Sequence, residues 1–353
     1  MIVVNVVEST ATGTLSMVAL SSNLLVDAGH DVVVVYSERH DTPKNLKSLF
    51  HDNVRLVKCN LQICNFPKSC FELRKVIQQY NPDIVHCHSS IAGFIGRLSA
   101  IRFKCKMIYT PHCISFMRKD IGFVKKSLFK FFEFIACIKK STYLACSLSE
   151  KKAIRSSLPF VNIKLIENAV DLKEFSNSYQ VNINSSKLKI ITVGGIRAQK
   201  GALEFAALAK NFKGSNLEFI WIGDGEDSLK QKLIEAGVTV TGWKPRDEVI
   251  QELYSADLYL STALWEGMPV SLIEACAANL PIVARSCAGN VDVVEHKKTG
   301  LLFDNTIEAT ELIEQFFQNP SPYKQYADNA YNTVFERFSV ERFSKELIEI
   351  YNN

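Results

Sequence analysis

The 353-residue chain has no apolar run of the roughly 18 residues that a membrane-spanning helix needs, so it is not expected to cross a bilayer. Its start, MIVVNVVEST, lacks a basic stretch ahead of the apolar run and a small-residue cleavage site after it. A first buried strand of a cytoplasmic protein is therefore expected rather than a signal peptide. Ten cysteines are present but none form a CxxC pair, and several fall inside strand-like or helix-like runs where a free thiol acts as a small hydrophobe. Disulfide and zinc chemistry are accordingly not expected. No GxGxxG fingerprint followed by a ribose-binding acid occurs, which argues against a pyridine-nucleotide oxidoreductase. There is no internal repeat and no low-complexity tract. A net charge of +4 is too small to imply a nucleic-acid partner, and none is expected.

What is there is a soluble-type composition, 47% hydrophobic and 22% charged, long enough for two α/β domains. Short β-rich runs alternate with longer helical patterns, the order that gives parallel sheets flanked by helices. Strands are predicted at IVVNVV, DVVVVYS, VRLVKC, DIVHCH, KMIYTP and YLACS, then at KIITVG, LEFIWIG, VTVTG, LYLSTA and PIVARS. Between the two series an Asn/Ser-rich, weakly periodic segment predicts a linker at residues 168–188, separating a domain at 1–167 from one at 189–335. Ligands of open parallel sheets sit beyond the carboxyl ends of strands, so a cleft near the linker and the turns after strands are where chemistry is expected.

Several turns are candidates. After the first strand, Thr12-Gly13-Thr14 leads into a helix, where unpaired amides suit a phosphate or sugar; an ordinary strand-to-helix turn is the alternative. His86 and His88, two apart on one strand, point to the same face as a packed or cleft-edge pair, with no third ligand at metal spacing. His112 follows a strand in YTPHC and is either a cleft-edge imidazole or a structural histidine. In RKDIGFVKKSLFKFFEFIACIKK, Val124, Leu128, Phe131, Phe132, Ile135 and Ile138 fall on one helical face, away from Lys125, Lys126, Lys130, Lys139 and Lys140. Such a helix either packs on the core with a solvated lysine face or lies in an anionic headgroup layer.

In the second half, TVGGIRAQKG puts two glycines after a strand, then Arg197 and Lys200 before a helix, a pair of cations suited to a diphosphate or to a plain basic loop. WIGDGEDS is satisfactory as turn chemistry and resembles no acidic metal pair, so no metal is expected. WEGMPVSLIEACAA places Glu266 at the end of a strand, a turn at Gly267-Met268-Pro269, and Glu274 inside the next helix. Ser271 and Glu274 also fit the S-x-x-E capping box, which would account for Glu274 but not for Glu266. Asn279 suits the left-handed position that ends this helix ahead of Pro281.

TPH, GGIRAQKG, GDGE, TGW, the pair Glu266 and Glu274, PIVA and a loop containing Gly289 together resemble the retaining glycosyltransferases of family GT4. NAVDLKEF and FSVERFSKELIEIY are similar to that family's hinge and last helix, so the likeness spans nearly the whole chain. It implies the GT-B fold, two Rossmann-like α/β domains with parallel sheets facing across a cleft, and a final helix at 336–353 packing back on the first domain. It implies a nucleotide-sugar donor on the second domain, with Gly13, Gly195, Gly223, Gly267, Met268, Pro269, Val270, Ser271 and Glu274 in the donor-binding set. His112, Arg197, Lys200 and Glu266 would be catalytic. Two positions depart from the pattern: Gly195 stands where the family carries an arginine, and the first turn keeps Gly13 alone.

Breaking the anomeric C–O bond leaves a diphosphate with added negative charge, which fixed cations and helix-terminus amides favour in the transition state. No cofactor is expected. The resemblance further implies a saccharide acceptor on a polyprenyl diphosphate in O-antigen or other surface-polysaccharide synthesis. Together with Lys125, Lys126 and Lys130, it predicts peripheral association with an anionic membrane surface. A GT-B nucleotide-sugar epimerase and a non-catalytic nucleotide-sugar-binding module are the competing readings.

Overall fold

The computed structural model describes residues 1–10, 12–39, 42–175 and 187–353. They form two compact units, one of Met1–Asn168 with Phe343–Asn353 and the other of Ala169–Arg342. The predicted linker falls partly outside the described residues, at 176–186; its earlier part belongs to the second unit, where the Val170 N–H bonds the Phe338 carbonyl at 3.0 Å.

The first unit carries β1 (Ile2–Val7), β2 (Asp31–Tyr36), β3 (Arg55–Lys58), β4 (Ile84–His88), β5 (Lys106–Thr110), β6 (Thr142–Ala145) and β7 (Asn162–Leu165). Its helices are α1 (Thr12–Asp27), α2 (Phe66–Tyr80), α3 (Ser90–Ser99), α4 (Phe123–Ala136) and α5 (Leu148–Ser157). All pairings are parallel in the order β3–β2–β1–β4–β5–β6–β7. IVVNVV and DVVVVY are nearly unbroken apolar runs because helices cover both sheet faces. Strand order reverses between β1 and β4, and the register there sets Val7 beside His88 and His88 beside Thr110 at the carboxyl ends.

The second unit has β8 (Leu188–Val193), β9 (Leu217–Ile222), β10 (Thr239–Val240), β11 (Leu258–Ser261), β12 (Ile282–Arg285) and β13 (Leu301–Phe303). Its helices are α6 (Ala202–Asn211), α7 (Asp227–Glu235), α8 (Arg246–Ser255), α9 (Val270–Ala277), α10 (Asn290–Val293), α11 (Thr306–Gln318) and α12 (Ser321–Arg337). The order β10–β9–β8–β11–β12–β13 puts the reversal between β8 and β11. The last helix, α13 (Val340–Asn352), contributes Phe343 onward to the first unit, where Lys106 Nζ donates to the Ile350 carbonyl at 2.6 Å.

Two local expectations are corrected, and of the two readings of α4 core packing is excluded. Helix α1 begins at Thr12, so Gly13 lies in its first turn instead of ahead of it. The capping box at Ser271 and Glu274 does not form: Pro269 takes the N-cap position, leaving Ser271 two residues too far into the helix to cap it. The apolar stripe of α4 does not pack on a core. Val124, Leu128, Phe131, Phe132 and Ile138 are exposed, as are Phe123 and Phe134, and the buried members of the helix are Glu133 and Ala136.

The reason is polar. Arg97 of α3, fully buried, donates to Glu133 at 2.7 Å and to Tyr143, while Tyr109 and Tyr143 donate to the same carboxylate at 3.0 and 2.9 Å. Burial acts against the Arg97 cation, and Glu133 more than offsets it, so the guanidinium pKa is raised. With its inward side tied by this network, α4 turns its aromatic residues outward. Among the described residues no helix is long and apolar enough to span a membrane.

Candidate active site

In the second unit the predicted residues gather at the carboxyl ends of β8 and β11, where strand order reverses and open sheets place ligands. The chain leaving β8 makes a tight turn through Ala198–Lys200, and the loop leaving β11 is laced to it. Leu264 N–H bonds the Gln199 carbonyl at 2.8 Å, and the Thr262 hydroxyl bonds the carbonyls of Lys200 and Gly201 at 3.0 and 2.9 Å. This lacing brings Lys200 Nζ to 2.8 Å from Glu266 Oε1 and Gln199 Nε2 to 3.2 Å from Glu266 Oε2. Burial works against the Lys200 ammonium, but Glu266, with Tyr259 and Cys287, outweighs it and raises its pKa. The lysine is thus a fixed positive charge at neutral pH.

Glu266 is held from the other side by the loop after β12. Its N–H bonds the Ala288 carbonyl at 2.9 Å, and a Cβ on Gly289 would lie 2.5 Å from Glu266 Cβ. Only glycine permits that approach, and at φ +88 only glycine adopts the backbone easily. The turn Gly267–Pro269 then opens α9, whose first amides, at Val270 and Ser271, have no partner within the helix and carry its positive dipole end.

Glu274 is a buried carboxylate one turn further on, and it is paired with Arg246. Arg246 also donates to Glu174 at 2.8 and 3.0 Å. Ser271 accepts instead from Tyr259 Oη at 3.0 Å. Tyr259, buried on β11, feels both the Lys200 and the Glu274 charges, with burial the larger cause of its raised pKa. The two carboxylates therefore bracket one electrostatic site. Arg197 is half-buried, and its Nε lies 3.4 Å from where a Cβ on Gly195 would sit, so its side chain folds back over Gly195. Gly223, at φ +139, abuts Gly194: a Cβ there would lie 2.2 Å from the Gly194 carbonyl oxygen.

In the first unit the equivalent reversal point holds three imidazoles. His88 Nδ1 and His112 Nε2 are 3.1 Å apart, with the rings stacked at 5.3 Å. His86 stacks on His88 at 4.0 Å and bonds Tyr351 Oη at 2.6 Å and Thr110 Oγ1 at 2.8 Å. Burial, with the neighbouring rings, pushes His86 down to about 3 and His88 well below its ordinary value; burial alone pushes His112 down to about 4. All three are neutral at pH 7. They line a small cavity with Met17, Thr110 and Asn168. Both ring nitrogens of His86 bond Tyr351 and Thr110, and His88 Nδ1 bonds His112 Nε2, while His88 Nε2 is buried with no hydrogen-bond partner among the described residues; among these residues no group of three side chains converges as metal ligands. Gly13 lies in the first turn of α1, and Lys125, Lys126 and Lys130 are on α4.

Sequence reasoning missed Arg246, Gln199 and Glu150. Arg246 carried a signal, since a cation at the first position of a helix opposes the dipole and calls for another partner. Glu150 carried none beyond its place in an S-x-x-E pattern.

Two α/β units, each built on a parallel sheet with polar groups gathered at its strand-order reversal, are the architecture of the GT-B class. Across 100% of the chain the fold matches sucrose-phosphate synthase from Thermosynechococcus elongatus (TM-score 0.86, 15% identity, 98% of that chain). It also matches Anabaena HepE, solved in complex with UDP-glucose (TM-score 0.82, 16% identity, 100% of this chain and 99% of that one). Residues 14–174 match the model for glycosyltransferase family 4 and residues 174–333 that for glycosyl transferases group 1. The chain is 30% identical over 274 residues to the UDP-Gal:alpha-D-GlcNAc-diphosphoundecaprenol alpha-1,3-galactosyltransferase of Escherichia coli, covering 69% of this chain and 68% of that protein. The chain belongs to the family 4, group 1 glycosyltransferases.

Proposed function

We propose that the enzyme transfers a hexosyl group, with retention of configuration, from a UDP-hexose to a saccharide carried on polyprenyl diphosphate, in the assembly of O-antigen or another surface polysaccharide. The observation that carries this reading is the Lys200–Glu266 ion pair, with Glu266 buried in the loop after β11 just ahead of the turn that opens α9, and Glu274 buried within that helix. In it Glu274 takes the ribose hydroxyls, the α9 amides and Lys200 take the diphosphate, and Glu266 orients the sugar. Arg197, folded over Gly195, supplies the cation that Gly195 does not. The acceptor hydroxyl attacks the anomeric carbon from the face the diphosphate leaves, the C1–O bond to phosphate breaks, and the hydroxyl proton passes to a phosphate oxygen. Neutral His112 contacts the reacting sugar. The donor and acceptor classes are those named for the Escherichia coli relative and for the ligand of HepE.

The lipid-linked acceptor accords with α4. Its exposed Phe123 (84%), Phe134 (58%) and Phe131 (54%), beside Lys125 and Lys130, suit an anionic headgroup layer at the cytoplasmic face of a membrane. The test is transfer of label from UDP-galactose to GlcNAc-diphosphoundecaprenol in anionic vesicles. Isomerisation of UDP-sugar without acceptor would indicate an epimerase, and binding without turnover a non-catalytic module. Replacing Lys125, Lys126 and Lys130 by alanine should weaken sedimentation with vesicles; unchanged sedimentation rejects membrane docking.

A further inference from the structure

His112 and Cys113 are consecutive non-glycine residues in left-handed backbone, at φ 52 and φ 88. Such strain persists only where the surroundings over-determine it. Here the determinant is visible. Glu150, fully buried in the first turn of α5, accepts the N–H groups of Cys113 and Ile114 on one carboxylate oxygen, both at 2.8 Å. Its other oxygen accepts the Cys146 N–H at 2.9 Å and the Cys146 thiol at 3.1 Å.

A capping role does not account for this. Ser147 does cap α5 by accepting the Glu150 N–H at 3.1 Å, but the Glu150 side chain reaches past the cap to a loop 36 and 37 residues earlier in the chain. The ring of His112 is fixed separately. Its Nε2 faces His88 Nδ1, and His88 is stacked on a His86 that Tyr351 and Thr110 hold from both ring nitrogens. A single hydrogen bond joins His88 Nδ1 and His112 Nε2, so Nδ1 is the His112 nitrogen left for a ligand, and which of the two rings donates decides whether that Nδ1 carries the proton.

We propose that Glu150 and His88 are positioning residues for His112: Glu150 fixes the strained backbone that presents it, and His88 fixes its tautomer and ring direction. The proposal rests on the reading that His112 contacts the reacting sugar. Neither residue touches substrate in it.

The experiment is a pair of double-mutant cycles on the full chain, with UDP-galactose and GlcNAc-diphosphoundecaprenol as substrates. Glu150→Gln must turn its side-chain NH2, which cannot accept, toward at least one backbone N–H that now has an acceptor. His88→Asn removes the imidazole while leaving a polar group. Each is expected to lower kcat about tenfold to hundredfold with the donor KM within about twofold. In a His112→Ala background each should cost less than about twofold more, because the group they position is gone. A full-sized loss in both backgrounds, or an unchanged kcat in the wild-type background, overturns the proposal.

Nitrogen-15 NMR of the histidine rings provides a readout independent of turnover and of Glu150→Gln folding. His88→Asn should move the His112 signals from a single tautomer toward a mixture, and unaltered His112 signals overturn the role of His88. If His112→Ala transfers sugar at the wild-type rate, it is the assignment of His112 to the sugar that fails; the ring signals still decide whether His88 sets its tautomer.

Discussion

The two strand-order reversals have the same topology and opposite electrostatics. Between β8 and β11 the chain fixes a half-buried ammonium against a buried carboxylate ahead of the first turn of α9; between β1 and β4 it packs three imidazoles together that burial keeps uncharged. Under the proposed function the contrast follows what each end would meet. A diphosphate that gains charge as its bond breaks calls for cations already in place, whereas a sugar hydroxyl calls for neutral hydrogen-bonding groups that do not compete for protons.

The largest effect should come from the charged end. Lys200→Ala is expected to lower kcat by about 10²–10³-fold with the fold intact by circular dichroism; a drop under tenfold would mean the leaving charge is met elsewhere and the contrast is not functional. Next, Glu274→Gln should weaken UDP binding about tenfold to hundredfold by calorimetry, the range for a hydrogen bond to a charged group, with a smaller change in kcat. Equal affinity would remove Glu274 from the donor site.

The neutral end should be visible in pH dependence. His86 and His112 have folded pKa values near 3 and 4, below the ordinary 6.5, so unfolding takes up protons as pH falls beneath 6.5. Their contribution is complete above pH 6.5 and is lost on the way down toward pH 4 and 3, at up to ~1.4 kcal/mol per pH unit for each imidazole. Denaturant melts across that range measure it, and stability independent of pH there would show that the cluster titrates normally. The smallest expected effect is none at all: with Lys200 and the α9 amides meeting the phosphate charge, excess EDTA should leave transfer unchanged, and loss of activity restored by Mg²⁺ would contradict this.

Much of this plan was legible in the residues. Unbroken valine runs marked central strands, and the turns after β8 and β11 stood out by their glycines and charges. The two missed strands, Asn162–Leu165 and Leu301–Phe303, are short sheet edges with too few apolar residues to announce themselves. The two readings of α4 stayed open for a different reason. Periodicity identifies an apolar face but not whether it points inward, and here a buried arginine from α3 takes the inward side. Arg246 and Glu150 act across 28 and 37 positions of sequence, distances at which spacing carries no information.

The ionic clamp beneath α4 also frees its outer surface. Arg97, Glu133 and two tyrosines secure the helix from below, and although Phe132 and Phe134 still pack on Phe94 and Phe160, Phe123 and Val124 stand almost fully exposed. Sequence drift can rewrite those two outermost positions, or strip their greasy side chains to make a more tractable protein, without disturbing the scaffold beneath.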